Sequence, residues 1–169
     1  MDLILFRHAD AGDAEEFAKT GKPDDLRPLS DKGRKRGRDA AKGLRALVPE
    51  CDLIVASPYA RAEQTAQIVA DVYKGTDREM TDTLEPDRPP SAFEDWLAQH
   101  STVKVVIAVG HEPNMGNLAT WLIAGSRQSA IEFKKSGACL ITFDHRIANG
   151  SGQLQWLMGP RELAAASNR

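Results

Sequence analysis

Three short runs in this chain are almost wholly apolar: Leu3-Ile4-Leu5-Phe6, Leu53-Ile54-Val55-Ala56 and Val103 to Val109. Runs of this length with no alternating polar face read as strands covered on both sides, the kind found in parallel sheets flanked by helices. Each run also ends on a group that can hold an anion. Phe6 leads into Arg7-His8, Ala56 into Ser57-Pro58 with Arg61 a turn later, and Val109 into Gly110-His111. If the strands are parallel, these groups emerge at one sheet edge, where open α/β folds bind ligands. Two arginines and two histidines meeting in one crevice suit a tetrahedral oxyanion.

The intervening segments supply helices. Ser30 is placed to cap a helix running to about Leu47, with Ala40, Ala41, Leu44 and Leu47 as its apolar stripe. Gly33, Gly37 and Gly43 cost that helix propensity, and close packing against the sheet is one reason to keep them. Ser57-Pro58 reads as a helix start, hydroxyl as cap and proline at the first position, with Ala62, Thr65, Ala66, Val69 and Ala70 inward. Arg78 to Leu84 holds a short edge strand, and Pro86, Pro89 and Pro90 enforce a loop before a helix over 91–99. Pro113 opens another helix, which stops at Gly125. Ala138 to Phe143 and Gln153 to Leu157 form a late hairpin, while Asp10 to Pro28 is a polar surface excursion near the mouth of the site. The sum is α/β, a single three-layer α/β/α domain over residues 1–169 with a mostly parallel central sheet.

With 169 residues the chain can build one substantial core and does not call for two domains. A net charge of -2 gives no general pull on nucleic acid, and the basic stretch Lys32 to Arg38 reads first as a solvated helix face, with attraction of an acidic or phosphorylated partner as the alternative. Cys51 and Cys139 lack metal-ligand spacing and read as reduced core thiols. The first apolar run is too short for a signal peptide, and no stretch approaches the roughly 18 apolar residues of a membrane span. A cytoplasmic location is expected.

In chemical terms, a neutral His8 has one ring nitrogen free to attack phosphorus, provided the other keeps its proton and donates it to a backbone carbonyl. Arg7 and Arg61 would grip the non-bridging oxygens through their planar forks, with His111 as a further donor. The plain alternatives are an exposed salt-bridging Arg61 and a structural His111 at a strand end. No metal and no cofactor are expected: the histidines at 8, 100, 111 and 145 form no compact ligand set. Neither a Cys-x5-Arg loop nor a G-x-x-x-x-G-K-S/T loop occurs. Trp96, Trp121 and Trp156 read as core or half-core packing, and His100 and His145 as turn residues.

Four elements carry a family resemblance. Leu5-Phe6-Arg7-His8-Ala9-Asp10-Ala11 resembles the Arg-His-Gly signature of the histidine phosphatase superfamily, the phosphoglycerate-mutase-like fold. Leu29-Ser30-Asp31-Lys32-Gly33 is similar to its Leu-Thr/Ser-x-x-Gly element, Ser57-Pro58-Tyr59-Ala60-Arg61-Ala62-Glu63-Gln64-Thr65 to its Ser-Pro-x-x-Arg-x-x-Gln-Thr element, and Val109-Gly110-His111-Glu112-Pro113 to its Gly-His-x-Pro element. Short length, Arg27-Pro28-Leu29 and a compact end resemble the SixA-type phosphohistidine phosphatases of that superfamily.

The resemblance implies His8 as nucleophile, with Arg7, Arg61 and His111 on the phosphate and Arg27 reaching in as an auxiliary anchor. It also implies a phosphorylated protein substrate, such as a histidine-containing phosphotransfer domain, and a site that phosphate or sulfate can occupy. Ala9 departs from the signature glycine, and its methyl group is expected to narrow the floor of the site or shift the backbone. Larger relatives protonate the leaving group with a carboxylate; Glu85 is the candidate here, with a plain loop surface residue as the other reading. Rival functions are a phosphomonoesterase on small molecules or on phosphoserine and phosphothreonine, and a non-catalytic phosphate-binding module.

Overall fold

The computed structural model describes residues 1–167. The apolar runs become β1 (Asp2–Arg7), β2 (Leu53–Ala56) and β4 (Val105–Gly110), joined by β3 (Asp77–Met80), β5 (Ala138–Thr142) and β6 (Gln153–Met158). The six strands form one sheet in the order β3-β2-β4-β1-β5-β6. β1 to β4 are mutually parallel, β5 runs antiparallel to β1, and β6 returns antiparallel to β5.

Alternation along the central strands divides the core into two layers. Ile4 and Phe6 of β1 face one side, with Ile54, Ala56, Ile107 and Val109, and are covered by α2 (Asp31–Leu47), α3 (Ala60–Val72) and α6 (Pro160–Ala166). Leu3 and Leu5 face the other side, under α4 (Pro90–Gln99) and α5 (Asn114–Ala124). The architecture is the expected three-layer α/β/α domain with a mostly parallel sheet.

Several elements differ from the sequence reading. The 10–28 excursion contains α1 (Ala14–Ala18), capped by Asp13 accepting from the Glu16 N–H at 2.9 Å, and a 3-10 turn at Asp24–Leu26. Neither buries a residue, so neither leaves a periodic apolar signal. β3 stops at Met80 and a 3-10 turn takes Asp82–Leu84, because Thr81 accepts from Thr83 and begins a turn. Leu47 does not complete the α2 stripe; it is exposed at the helix end. α6 went unread because it is a single short helix starting at Pro160, and its Leu163 packs against α2.

The α2 glycines explain that packing. A Cβ at Gly43 would lie 1.6 Å from the Leu163 carbonyl oxygen, and one at Gly33 would lie 2.0 Å from that of Asp10. The close approaches are therefore to α6 and to the loop after β1, not to the sheet. Ser30 does cap α2, accepting from the Gly33 N–H at 3.0 Å. Cys51 and Cys139 are both free thiols, and the three tryptophans are each half-buried.

Candidate active site

The ends of three neighbouring strands build the site. Arg7 pairs in register with Gly110, and the His8 N–H continues the ladder to the Gly110 carbonyl at 2.9 Å. On the other side of β4, the Ser57 N–H reaches the Val109 carbonyl at 3.1 Å. His8, His111 and the Ser57 turn are thus fixed by backbone pairing before any side-chain contact is made. The rings of His8 and His111 lie 5.1 Å apart between centroids, and Arg61, His8 and His111 are buried to 5%, 7% and 3% exposure.

His8 Nδ1 lies 2.7 Å from the Ala9 carbonyl oxygen. A carbonyl only accepts, so Nδ1 must carry the proton, and Nε2 is left with its lone pair. Burial drives the His8 pKa down to about 4, with Arg61, Arg7 and Arg27 adding to the effect and the Ala9 hydrogen bond opposing it. The ring is therefore neutral near pH 7. His111 is pushed to about 3, again chiefly by burial and then by His8.

Three buried polar atoms have no hydrogen-bond partner among the described residues: Arg7 Nε, Arg61 Nε and His111 Nδ1. Leaving such groups unsatisfied costs about 1–3 kcal/mol each. His111 Nε2 is 2.9 Å from Ser57 Oγ. If the serine donates there, Nδ1 carries the second ring position's proton and becomes a donor. Two guanidinium N–H groups and one imidazole N–H in one buried place form a set made for an oxyanion.

The remaining contacts hold this set in place. Arg7 Nη1 donates to the Phe133 carbonyl at 2.5 Å, and Glu112 accepts from the Phe133 N–H at 3.2 Å. Ser136 donates its N–H to the Arg7 carbonyl at 3.2 Å, from the segment leading into β5. Thr65 accepts from the Ala9 N–H at 3.0 Å and donates to the Arg61 carbonyl at 2.7 Å, tying the residue after His8 to the turn that carries Arg61. Gln64 Oε1 accepts from the Leu29 N–H and from Arg34, each at 2.9 Å.

Arg27 enters from the excursion. Its Nε donates to Asp24 Oδ1 at 2.8 Å and its Nη1 to the Ala11 carbonyl at 3.2 Å. Arg61 meets the same Asp24 through its carbonyl at 2.9 Å and its carboxylate at 3.1 Å. Asp24 is thereby held below the ordinary carboxylate range, first by the Arg27 hydrogen bond. Glu85 lies beside the start of α5, where Asn114 donates to its carbonyl at 2.9 Å; its carboxylate pairs with Arg88 at 3.4 Å.

Two expectations need correction. α3 begins at Ala60, with Tyr59 flanking it and no side-chain cap, because Ser57 is drawn into the sheet ladder and its hydroxyl turns to His111. The Ala9 methyl group does not narrow the floor: it is fully buried in the core, and a Cβ at Gly37 would lie 3.2 Å from it. The sequence reading missed Asp24, the carbonyl of Phe133 and the pairing of Ser57 with His111. Asp24 had a signal in its i,i+3 spacing to Arg27; a backbone carbonyl from a distant loop leaves none.

The family model for the histidine phosphatase superfamily (branch 1) matches residues 3–85. An uncharacterised protein of Picosynechococcus sp. is 32% identical over 139 residues, covering 81% of this chain and 82% of that one. The chain belongs to the histidine phosphatase superfamily. Within it, the chain is similar to phosphohistidine phosphatase SixA of Escherichia coli (strain K12), 28% identical over 169 residues and 98% of both chains. A solved structure of the protein histidine phosphatase SixA with tungstate superposes with a TM-score of 0.81 at 28% identity, covering 96% of this chain and 99% of that one. Members of the superfamily are phosphatases with a histidine nucleophile, and this chain carries a histidine at the corresponding signature.

Proposed function

We propose that this protein is a phosphohistidine phosphatase, removing phosphate from a histidine on another protein through a covalent phosphohistidine of its own. The observation that carries the reading is the His8 hydrogen bond: a proton committed to the Ala9 carbonyl leaves Nε2 as the attacking atom. Arg7, Arg61 and His111 take the phosphoryl oxygens through their unpartnered N–H groups, with Arg27 as an outer anchor.

In the first step His8 Nε2 bonds to phosphorus as the P–N bond of the substrate breaks. The substrate imidazole, protonated at its other nitrogen, leaves neutral. The transfer is between two imidazoles, so the leaving group matches the nucleophile and no strong acid is required. Water then adds to phosphorus as the P–Nε2 bond breaks, giving dihydrogen phosphate and neutral His8. The charge that builds on the equatorial oxygens in each step is met by the two guanidinium groups.

A phosphate ester would instead expel an alkoxide, which must be protonated. Glu85 is the candidate acid, yet its carboxylate is directed to Arg88. That difference favours P–N over P–O substrates, and the similarity to SixA supports a protein over a small-molecule substrate. The proposed steps call on no metal ion, an expectation that the chelator arm of the substrate panel checks. No helix of the described chain is long and apolar enough to cross a membrane, and a cytoplasmic phosphoprotein is the proposed partner.

The test is a substrate panel with and without EDTA: a phosphorylated histidine phosphotransfer domain, free phosphohistidine, sugar phosphates, and phosphoserine and phosphothreonine peptides. The expected result is chelator-insensitive turnover with kcat/KM highest on the phosphohistidine protein. Faster turnover of a sugar phosphate would replace this reading with a small-molecule phosphomonoesterase, and binding without turnover of any would leave a phosphate-binding module.

A further inference from the structure

Helix α2 carries charge that the fold does not use. Asp31–Leu47 holds seven of the chain's 22 Lys and Arg residues and only two of its 24 acidic ones, so the rest of the protein is strongly negative. The buried face of α2 is made of Gly33, Gly37, Ala40, Ala41, Gly43 and Leu44, none of which needs a charged neighbour. Lys32, Lys35, Arg36, Arg38 and Lys42 are all exposed, and among the described residues none of the five forms an ion pair. Several stand three or four apart, where like charges repel along a helix, and the first ones oppose the helix dipole. A stripe that works against its own helix without a partner inside the protein points to a partner outside it.

The stripe also begins at the candidate site. Ser30, which caps α2, donates its N–H to the Asp10 carbonyl at 2.9 Å and its hydroxyl to the Asp10 carboxylate at 2.8 Å. The Gly33 and Gly37 positions pack against Asp10 and Ala9, the two residues after His8. From Lys32 to Lys42 the stripe spans about 15 Å along the helix, away from that mouth. The segment just before it, residues 13–25, is of opposite sign, with five acidic residues and two lysines. A partner presenting its phosphorylated residue to His8 is therefore sorted by sign and by orientation.

We infer that the exposed cationic face of α2 is the docking surface for an acidic face of the phosphohistidine-bearing substrate protein, which it steers and orients over the site. The inference rests on the phosphohistidine phosphatase reading. Charge complementarity of this kind acts on encounter and register more than on the chemical step.

The experiment compares the wild-type protein, Lys35→Glu/Arg38→Glu, and a control, Lys104→Glu/Arg146→Glu. The control reverses two exposed cations at the other end of the sheet, near the starts of β1 and β4. Each is assayed on an acidic phosphorylated histidine phosphotransfer domain and on free phosphohistidine, across a range of salt. For the α2 variant the expected loss is at least ~10-fold in kcat/KM on the phosphoprotein, borne by KM. Its kcat, its turnover of free phosphohistidine and its circular dichroism stay at wild-type levels, and its salt dependence becomes shallower. An unchanged KM in the α2 variant, an equal loss in the control, or α2-dependent binding to anionic vesicles or RNA without an effect on the phosphoprotein would overturn the docking surface alone. Absence of wild-type turnover of either phosphohistidine substrate would overturn the function reading and this inference with it.

Discussion

His8 can act as a nucleophile only while its ring is neutral, and burial among cationic groups secures that state well below pH 7. The arginines around it disfavour protonation of the ring, and in the proposed mechanism they also receive the phosphoryl oxygens. Losing one such donor in a transition-state clamp costs on the order of 10²–10³ in rate. Arg61→Ala is accordingly expected to lower kcat/KM at least ~10²-fold, and a tenfold smaller loss in steady-state assays would remove Arg61 from the clamp. Ser57 acts through His111 as a positioning residue. Its hydroxyl, 2.9 Å from Nε2, leaves the proton of a neutral His111 on Nδ1 when the serine donates. Ser57→Ala is expected to cost about fivefold to tenfold in kcat, the worth of one neutral hydrogen bond. Ser57→Thr should restore the rate if the hydroxyl alone is needed; unchanged kcat in Ser57→Ala would leave the contact merely structural. Arg7, His8 and His111 were legible in the sequence because they stand within two residues of the end of an apolar run, and Arg61 because it lies a turn past the second run. Asp24, Ser57 and the Phe133 carbonyl were harder to see, since their roles depend on contacts 37, 54 and 126 positions away.

Among the elements, α2 shows most clearly why local preference and final structure part company. Its three glycines read as a weak helix, yet they are what lets the helix meet α6 and the loop after His8. Gly43→Ala would add about 1 kcal/mol of helix propensity and drive a methyl group into the Leu163 carbonyl, an overpacking that typically costs 1–3 kcal/mol, occasionally more. Thermal unfolding should show a net fall in Tm, with kcat on small substrates preserved in the folded fraction. A raised Tm would mean that α6 yields freely. The central strands β1, β2 and β4 were legible to within about two residues, because near-complete burial leaves an unmistakable apolar run, whereas the exposed edge strand β3 ends at Met80, four residues before the expected Leu84. The short elements α1 and the two 3-10 turns were not, because they bury little and owe their form to caps and turns. α3 was misplaced by two residues for a related reason: the serine of the Ser57-Pro58 pair that resembles a helix start continues the sheet ladder, and the helix begins only at Ala60.

The domain as a unit pays for its site in acid. His8 and His111 fold into neutral forms with pKa values of about 4 and about 3, whereas unfolded histidine titrates near 6.5. Between those values the unfolded chain binds more protons than the native one, so stability is full above about pH 6.5 and falls as pH drops toward 3. Asp10, held at about 2 first by Lys135 and then by Ser30, adds a loss of the same sign at lower pH. Urea midpoints measured from pH 7 to pH 4 should fall more steeply for the wild type than for His8→Asn/His111→Asn. Parallel slopes would mean that the two imidazoles are already charged in the folded protein. The overall architecture followed from the sequence with little loss, since three buried parallel strands with a shared functional edge admit few alternatives. The most direct measurement is of the intermediate itself. The protein is mixed briefly with a radiolabelled phosphohistidine substrate, quenched in alkali, and its label mapped. One acid-labile, alkali-stable phosphoryl group on His8, formed and lost at the rate of turnover and absent from His8→Asn, is predicted; turnover with no labelled protein, or label that survives in His8→Asn, would contradict the account.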